Sequence, residues 1–303
     1  MKNRLSNIVK IGAVAAGLAL LAVSPAGAKF VTDQAGRRVE IPDHPQRVVS
    51  LAPSITEIVF ALGQEQILKG VTSYSDFPPE ASGLPRVGSY VRLDLERIIE
   101  LRPDLCIAVK DGNPKAAVDR LQALGVPVYA LDPRSVPTVI QAILEMGAVL
   151  NAEDRAERLV REMRSRIDRV AAKLVGTGHR PRVSFQIGDA PIVSVGTNTF
   201  AHELIGLAGG GNVAAGKTAY PRFNREQVLA LSPDVIIISS MDRAGSIEQV
   251  RQEWGRWPSV PAVRDGRIHL VDSDLFDRPS PRLVEGLEQL ARFIHPEIFG
   301  GPK

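Results

Sequence analysis

A single cysteine, five histidines and 5% aromatic residues in 303 positions set the first limits. Cys106 has no partner for an internal disulfide or a multi-cysteine metal site, and it falls in a predicted buried strand, a poor place for a reactive thiolate. His44, His179, His202, His269 and His295 are scattered, with no two at ligand spacing on one helix, so the sequence offers no dedicated zinc or manganese site. No G-x-S-x-G elbow occurs, which leaves a secreted hydrolase as the weaker alternative. Long apolar runs are equally scarce. The one present, Ile11 to Val23, has 13 residues, short of the ~20 that span a bilayer as a helix. Ordinary core material is plentiful, 44% hydrophobic against 23% charged. That excludes disorder, collagen and a disulfide-stapled miniprotein, and the length suits about two domains.

The apolar run reads as part of a secretion signal. Lys2, Arg4 and Lys10 precede it, small residues follow, and Ala26-Gly27-Ala28 has the A-x-A form that a signal peptidase cleaves. Residues 1–28 are therefore expected to be removed on export. They hold three of the 37 basic residues and none of the 34 acidic ones, so the remainder is balanced and the basic precursor is no argument for nucleic-acid binding. No cysteine follows the run to carry a lipid anchor. The expected destination is a periplasm.

Beyond the signal, Phe30–Asp33 and Arg38–Ile41 read as two strands closed by a turn at 34–37. Short β-branched runs then alternate with helical patterns: strands at Arg47–Leu51, Leu105–Val109 and Val126–Leu131, helices at Ser54–Leu62 and Pro114–Leu124. The second half repeats the alternation, with strands at Arg182–Gln186, Val235–Ser239 and Ile268–Val271 and helices near Ala201–Ala208 and over Pro281–Ile294. Such spacing predicts two α/β lobes with parallel-type sheets. Between them Leu159, Met163, Ile167, Val170 and Leu174 recur at steps of three and four with neither Gly nor Pro, predicting one long connecting helix from roughly Ala152 to Val175. The expected division is a signal at 1–28, an N-terminal lobe at 29–151, the connecting helix at 152–176 and a C-terminal lobe at 177–303.

An internal repeat supports two like-built halves. Glu96 to Ala108 aligns without gaps on Glu226 to Ile238, with five of 13 positions identical and three more exchanging one aliphatic for another. Asp94 and Asn224 stand just before, each placed to cap a helix whose first turn holds Glu96 or Glu226. A generic helix, Pro-Asp turn and buried strand would give a weaker version of the same pattern.

A cleft between lobes is walled by the loops that leave the strand ends. With aromatics so sparse, their concentration in such loops is informative: Tyr74-Ser75-Asp76-Phe77-Pro78-Pro79, Ser89-Tyr90, Asp111-Gly112-Asn113, Tyr220-Pro221-Arg222-Phe223 and Asp274-Leu275-Phe276-Asp277-Arg278. Rings edged by polar groups suit a broad, flat, partly apolar ligand. The alternative for each ring is packing against its own lobe. Tyr74, Tyr90, Asp111, Asn113, Tyr220, Phe223, Asp274, Phe276 and Arg278 are the candidate ligand-binding residues. Gly211 to Thr218 also matches the phosphate-loop pattern G-x-x-x-x-G-K-[ST]. Its context is wrong, because a helix precedes it and Pro221 follows too early for another, so Gly209-Gly210-Gly211 reads as a helix terminator.

On these residues the chain resembles a known family, the class III substrate-binding proteins of ATP-binding cassette (ABC) importers, which take up cobalamin, haem and ferric siderophores. Val31-Thr32-Asp33, Ser50-Leu51-Ala52-Pro53-Ser54-Ile55-Thr56-Glu57, Leu95-Glu96-Arg97 with Arg102-Pro103-Asp104, and Arg225-Glu226-Gln227-Val228-Leu229 with Ser232-Pro233-Asp234 carry the resemblance. The Tyr74–Pro79 run, Gly112-Asn113, Ser273-Asp274 with Phe276, and Ser280-Pro281-Arg282 are most similar to cobalamin-binding members. The resemblance implies two Rossmann-like lobes joined by one long helix, in a monomer without catalytic residues or a resident cofactor. It implies a transported corrinoid surrounded by Tyr74, Tyr90, Tyr220, Phe276 and Arg278, with Asp274 among the polar contacts. It further implies that Glu96 and Glu226, one per lobe, dock on arginines of a permease dimer served by its ATPase. Tyr90 and Tyr220 stand where cobalamin binders have tryptophan, and Val109 and Leu275 replace two more. Haem or a ferric siderophore is therefore the alternative cargo, since tyrosine also ligates haem iron.

Overall fold

The computed structural model describes residues 27–189, 191–240 and 247–301; residues 1–26 of the expected secretion signal lie outside them. Strands β1 (Ala28–Thr32) and β2 (Arg38–Pro42) form the expected hairpin, paired antiparallel from Ala28 opposite Pro42 to Thr32 opposite Arg38. The N-terminal half continues with β3 (Val48–Ser50), α1 (Pro53–Ala61), β4 (Leu68–Gly70), the two-stranded ribbon β5 (Gly88–Ser89) and β6 (Arg92–Leu93), and α2 (Leu95–Glu100). It closes with β7 (Leu105–Val109), α3 (Lys115–Ala123), β8 (Val128–Leu131) and α4 (Val136–Val149). The order β4-β3-β7-β8 makes an all-parallel sheet. Helices on both faces explain why β7 and β8 are near-continuous apolar runs rather than alternating ones.

After α5 (Glu153–Leu174) come β9 (Arg182–Asp189), β10 (Ile192–Ser194), α6 (Phe200–Leu207), β11 (Gly211–Asn212), β12 (Arg222–Phe223), α7 (Arg225–Ala230) and β13 (Val235–Ser240). The chain ends with α8 (Ile247–Trp254), α9 (Pro261–Arg264), β14 (Ile268–Asp272), α10 (Asp274–Asp277), α11 (Leu283–Ile294) and α12 (Pro296–Phe299). In the second sheet β9, β13 and β14 run parallel, with β11 beside β9. The short β10 and β12 extend the edge antiparallel, a feature that the sequence pattern did not reveal. Gly209, at φ 81°, ends α6 as expected of a glycine just past a helix. No helix follows the phosphate-loop match, which runs from β11 through turns to β12.

The long helix does more than connect. Its 22 residues span about 33 Å. Ala156, Val160, Met163 and Val170 are buried, with Leu159, Ile167 and Leu174 half-buried beside them, in one apolar cluster that also contains Val48 and Leu105 of the first sheet and Val183 and Val235 of the second. A Cβ on Gly147 of α4 would stand 2.5 Å from the Ala156 Cβ, so small residues on both helices allow their close approach. Polar ties reinforce the joint. Arg166 makes a two-toothed pair with Glu288 of α11 at 3.0 and 2.8 Å, and Glu203 of α6 accepts the N–H of Val136 at the start of α4, 2.7 Å.

The sequence repeat is a structural one. Leaving α2 and α7, Arg102 and Ser232 both adopt positive φ, 47° and 43°. Asp104 accepts the Arg47 N–H and Asp234 the Arg182 N–H, while the Arg47 and Arg182 guanidiniums donate to the Leu101 and Leu231 carbonyls. A generic helix-turn-strand would not reproduce this set of side-chain bonds.

Candidate functional site

The carboxyl ends of β4, β7 and β14 carry the loops with Tyr74, Asp111–Asn113 and Asp274–Arg278, the position at which open α/β sheets bind ligands. The Tyr74 loop is fixed at three points. Buried hydroxyls form a chain in which Thr56 lies 2.8 Å from Ser50 and 3.1 Å from Ser75, and Ser75 lies 2.9 Å from Thr72. Arg86 donates to the carbonyls of Thr72 and Ser75. From the other lobe, Arg278 Nη2 donates to the Tyr74 carbonyl at 3.1 Å. The backbone is held on both sides, and the Tyr74 side chain is left 61% exposed.

Arg278 is the centre of a clasp between the lobes. Its Nη1 lies 3.1 Å from Glu57 Oε1 and 3.0 Å from Asp76 Oδ1, and its Nη2 2.8 Å from Asp274 Oδ1. Ser280 donates to Glu57 Oε2 at 2.7 Å, and Arg282 Nη1 stands 3.7 Å from Oε1. The Glu57 side chain is 2% exposed and that of Arg278 12%. Burial raises the Glu57 carboxyl above its ordinary value, although Ser280, Arg278 and Arg282 all pull it down. The clasp thus holds a charge that the interior disfavours.

Tyr90 stands between β5 and β6 and Tyr220 just before β12, in equivalent places of the repeat: the gapless alignment extends to Tyr90 with Tyr220 and Arg92 with Arg222. The two phenols are 41% and 57% exposed and lie near enough to interact. Confinement raises the Tyr220 pKa, and Asp277 and Tyr90 add to it. Tyr90 belongs to one lobe, and Tyr220 and Asp277 belong to the other. Confinement, helped by Asp274 and opposed by Arg278, also lifts the Asp277 carboxyl to about 6.

Several expected ligand residues lie elsewhere. Phe276 is 1% exposed and meets Phe185 edge-on at 5.5 Å, because the single turn of α10 directs it away from Asp274, Asp277 and Arg278. Phe223 packs into the cluster around Ile192 and Val228. The Asn113 amide is consumed by structure: it accepts the Val109 N–H and donates to the carbonyls of Leu51 and Tyr90, all at 2.8 Å. Asn113 thereby sets Tyr90 from behind. Asp111 is exposed at the rim and paired with Arg134. Tyr74, Tyr90 and Tyr220 are exposed, and Asp274 is paired with Arg278 in the clasp. A separate groove of about 600 Å³, lined by Glu57, Phe60, Phe77, Arg155 and Arg282 among others, contains none of these tyrosines.

Two lobes, strand-end loops and a repeat-related tyrosine pair agree with what sequence comparison finds: residues 48–275 match the periplasmic binding protein family. The chain belongs to that family. It is 32% identical over 249 residues to the vitamin B12-binding protein of Salmonella typhimurium, covering 82% of this chain and 90% of that one. It is 31% identical over 275 residues to an uncharacterized ABC transporter substrate-binding lipoprotein of Bacillus subtilis, covering 89% and 86%. Its fold is similar to that of a periplasmic heme binding protein from Pseudomonas aeruginosa, with a TM-score of 0.76, 29% identity, and 84% and 94% of the two chains covered.

In this periplasmic binding protein, Glu57 and Asp76 of the clasp, and Asp277 at the end of α10, are residues that sequence reasoning passed over. Glu57 did leave a signal: an acid flanked by Ile55, Ile58 and Val59 on a helix this apolar is worth a partner search. The role of Asp277 depends on the direction of a four-residue helix, for which no periodicity exists.

Proposed function

We propose that this periplasmic binding protein, after export, captures a corrinoid of the cobalamin type between its lobes and delivers it, chemically unaltered, to the permease of an ABC importer and its ATPase. The observation that carries the reading is the exposed pair Tyr90 and Tyr220, at equivalent positions of the two halves and one on each lobe. With Tyr74 they offer ring faces and hydroxyls to a flat macrocycle from more than one wall. The B12-binding relative supports the corrinoid, and the clasp with the shared core supports a cleft of nearly fixed width. We take the lobes as 29–151 and 177–303 with 152–176 between them. Titration of the mature protein with cyanocobalamin and with haemin, followed by visible absorbance and intrinsic fluorescence, tests the cargo. Saturable corrinoid binding is expected. One-to-one haemin binding with a tyrosinate-type spectrum, and none with the corrinoid, would establish the haem reading instead.

Glu96 and Glu226 are proposed to meet cationic groups of the permease. Both are exposed and make no side-chain hydrogen bond or ion pair with a described residue. The helix starts do not need them, because Asp94 accepts the Arg97 N–H and Asn224 forms a reciprocal cap with Gln227. Charge pairs at matching lobe positions fix orientation on a two-fold partner. Glu96→Ala combined with Glu226→Ala is expected to preserve ligand affinity while impairing uptake in cells; uptake at the normal rate would count against docking.

A further inference from the structure

The groove of about 600 Å³ beside the clasp holds none of the cleft tyrosines and has no part in the cargo reading. Its size falls in the range of about 300–1,000 Å³ usual for small-molecule sites. All three parts of the chain build it: Phe60, Phe77 and Pro78 come from the N-terminal lobe, Arg155 from α5, and Pro281 and Arg282 from the C-terminal lobe. Arg282 is its unexplained group. The side chain is only 15% exposed and the guanidinium lies 3.8 Å over the Phe77 ring, yet Nε is buried without a hydrogen-bond partner. The carboxylates beside it, Glu57 at 3.7 Å and Glu285 at 3.9 Å, stand beyond hydrogen-bond distance. Glu57 is not free to turn toward it, because its oxygens accept from Arg278 and Ser280. Buried polar groups are as a rule paired, and a guanidinium fork matches a carboxylate. A second cation lines the same groove. A side chain at Gly63 would overlap the Arg155 guanidinium, so this glycine lets Arg155 lie against the end of α1, where it donates to the Leu62 carbonyl at a long 3.4 Å. Glu65 and Glu80 also line the groove, but both are exposed, and water weakens their field more than that of the buried Arg282.

We propose that this groove is a second binding site, for a small amphiphilic carboxylate. The carboxylate pairs with the open fork of Arg282, with Arg155 as the second cation, and the apolar body of the ligand lies along Phe60, Pro78 and Pro281. Contact with the Phe77 ring holds the Arg282 guanidinium in place for it. Such a ligand touches both lobes and the helix between them, so it stabilises their joint by mass action. It does so whichever cargo the tyrosines hold.

Calorimetric titration of the mature protein with 4-phenylbutyrate, 4-phenylbutanamide and 4-phenylbutylamine tests the site, with melting temperatures recorded alongside. The three probes share one apolar body and differ only in the head group. The acid is expected to bind one-to-one and to raise the melting temperature. The amide should bind about tenfold more weakly or worse, the loss that corresponds to one charge-assisted hydrogen bond. Arg282→Gln should abolish the preference for acid over amide. Because Arg282 also neighbours Glu57, a second variant guards against a folding defect. Ala61→Trp, at an exposed position of α1 that lines the groove, should fill it and remove acid binding while both arginines stay in place. The proposal is overturned if the acid does not bind, if acid and amide bind equally, or if either variant treats the probes as wild type does. Preference for the amine would also overturn it and assign the groove to Glu65 and Glu80. Should Arg282→Gln fail to melt cooperatively, the wild-type acid-to-amide ratio and Ala61→Trp decide.

Discussion

Replacing Arg278 with alanine is the sharpest test of the inter-lobe clasp. The change removes every partner that Arg278 supplies: Glu57 at 3.1 Å, Asp76 at 3.0 Å, Asp274 at 2.8 Å and the Tyr74 carbonyl at 3.1 Å. These do not weigh equally. Asp76, 40% exposed, contributes at most about 1 kcal/mol. Glu57, 2% exposed, is left as a buried carboxylate without its main cation, a loss of about 3–5 kcal/mol. Arg282 at 3.7 Å offsets part of it, which places the net cost near the lower bound, about 3 kcal/mol. At about 2–4 °C per kcal/mol for a chain of this class, the midpoint should fall by about 6–12 °C.

Glu57→Gln should behave differently. Burial already opposes the Glu57 charge, so a neutral side chain of the same shape removes a desolvation cost together with the ion pair, and a change of about 1 kcal/mol or less is expected. The double variant should then be less destabilised than the two singles combined, with a coupling of about 1–3 kcal/mol. Calorimetry and urea unfolding of the mature protein measure all four corners of the cycle. A drop below about 3 °C for Arg278→Ala, or strict additivity, would refute the claim that a buried, mutually dependent charge pair joins the lobes.

Asn113→Ala removes three hydrogen bonds of 2.8 Å and should cost about 2 kcal/mol in urea unfolding while weakening corrinoid binding, since the Tyr90 carbonyl is released; a variant as stable as wild type would contradict the structural role. Asp277, raised from 3.8 to about 6 in the folded state, contributes stability that is present below about pH 4 and lost as pH rises through about 6. Thermal melts should accordingly show Asp277→Asn gaining on wild type between those limits; a constant or shrinking difference would show that the carboxyl is not confined.

Much of the fold was legible because its elements are long or strongly periodic. The connecting helix, the terminal helix and the parallel strands announce themselves through three-four steps or unbroken apolar runs. Val136–Val149 did not, although it carries a capping box at Ser135. Its exposed stripe mixes Thr138, Gln141 and Glu145 with Pro137, Leu144 and Ala148, so the polar face is too thin to mark a period. The strands β4, β10 and β12 have two or three residues each, too few for any alternation. At the cleft, scarcity of aromatics singled out the strand-end loops that carry Tyr74, Tyr90 and Tyr220. Which ring in each loop stays exposed was not legible: Phe276 and Tyr220 look alike in sequence, yet one is in the core and the other on the surface.

The amino-acid order alone determined the two-halved α/β plan, the helix between the halves and the matching Glu96 and Glu226, because these follow from local periodicity and from a repeat that needs no third dimension to be seen. Only the tertiary structure decided that Arg278 ties the lobes together and that Glu57 is buried beneath it. Those facts depend on groups about two hundred residues apart being brought within hydrogen-bond reach, and on the resulting loss of water. Neither proximity nor desolvation is a property of the chain before it folds.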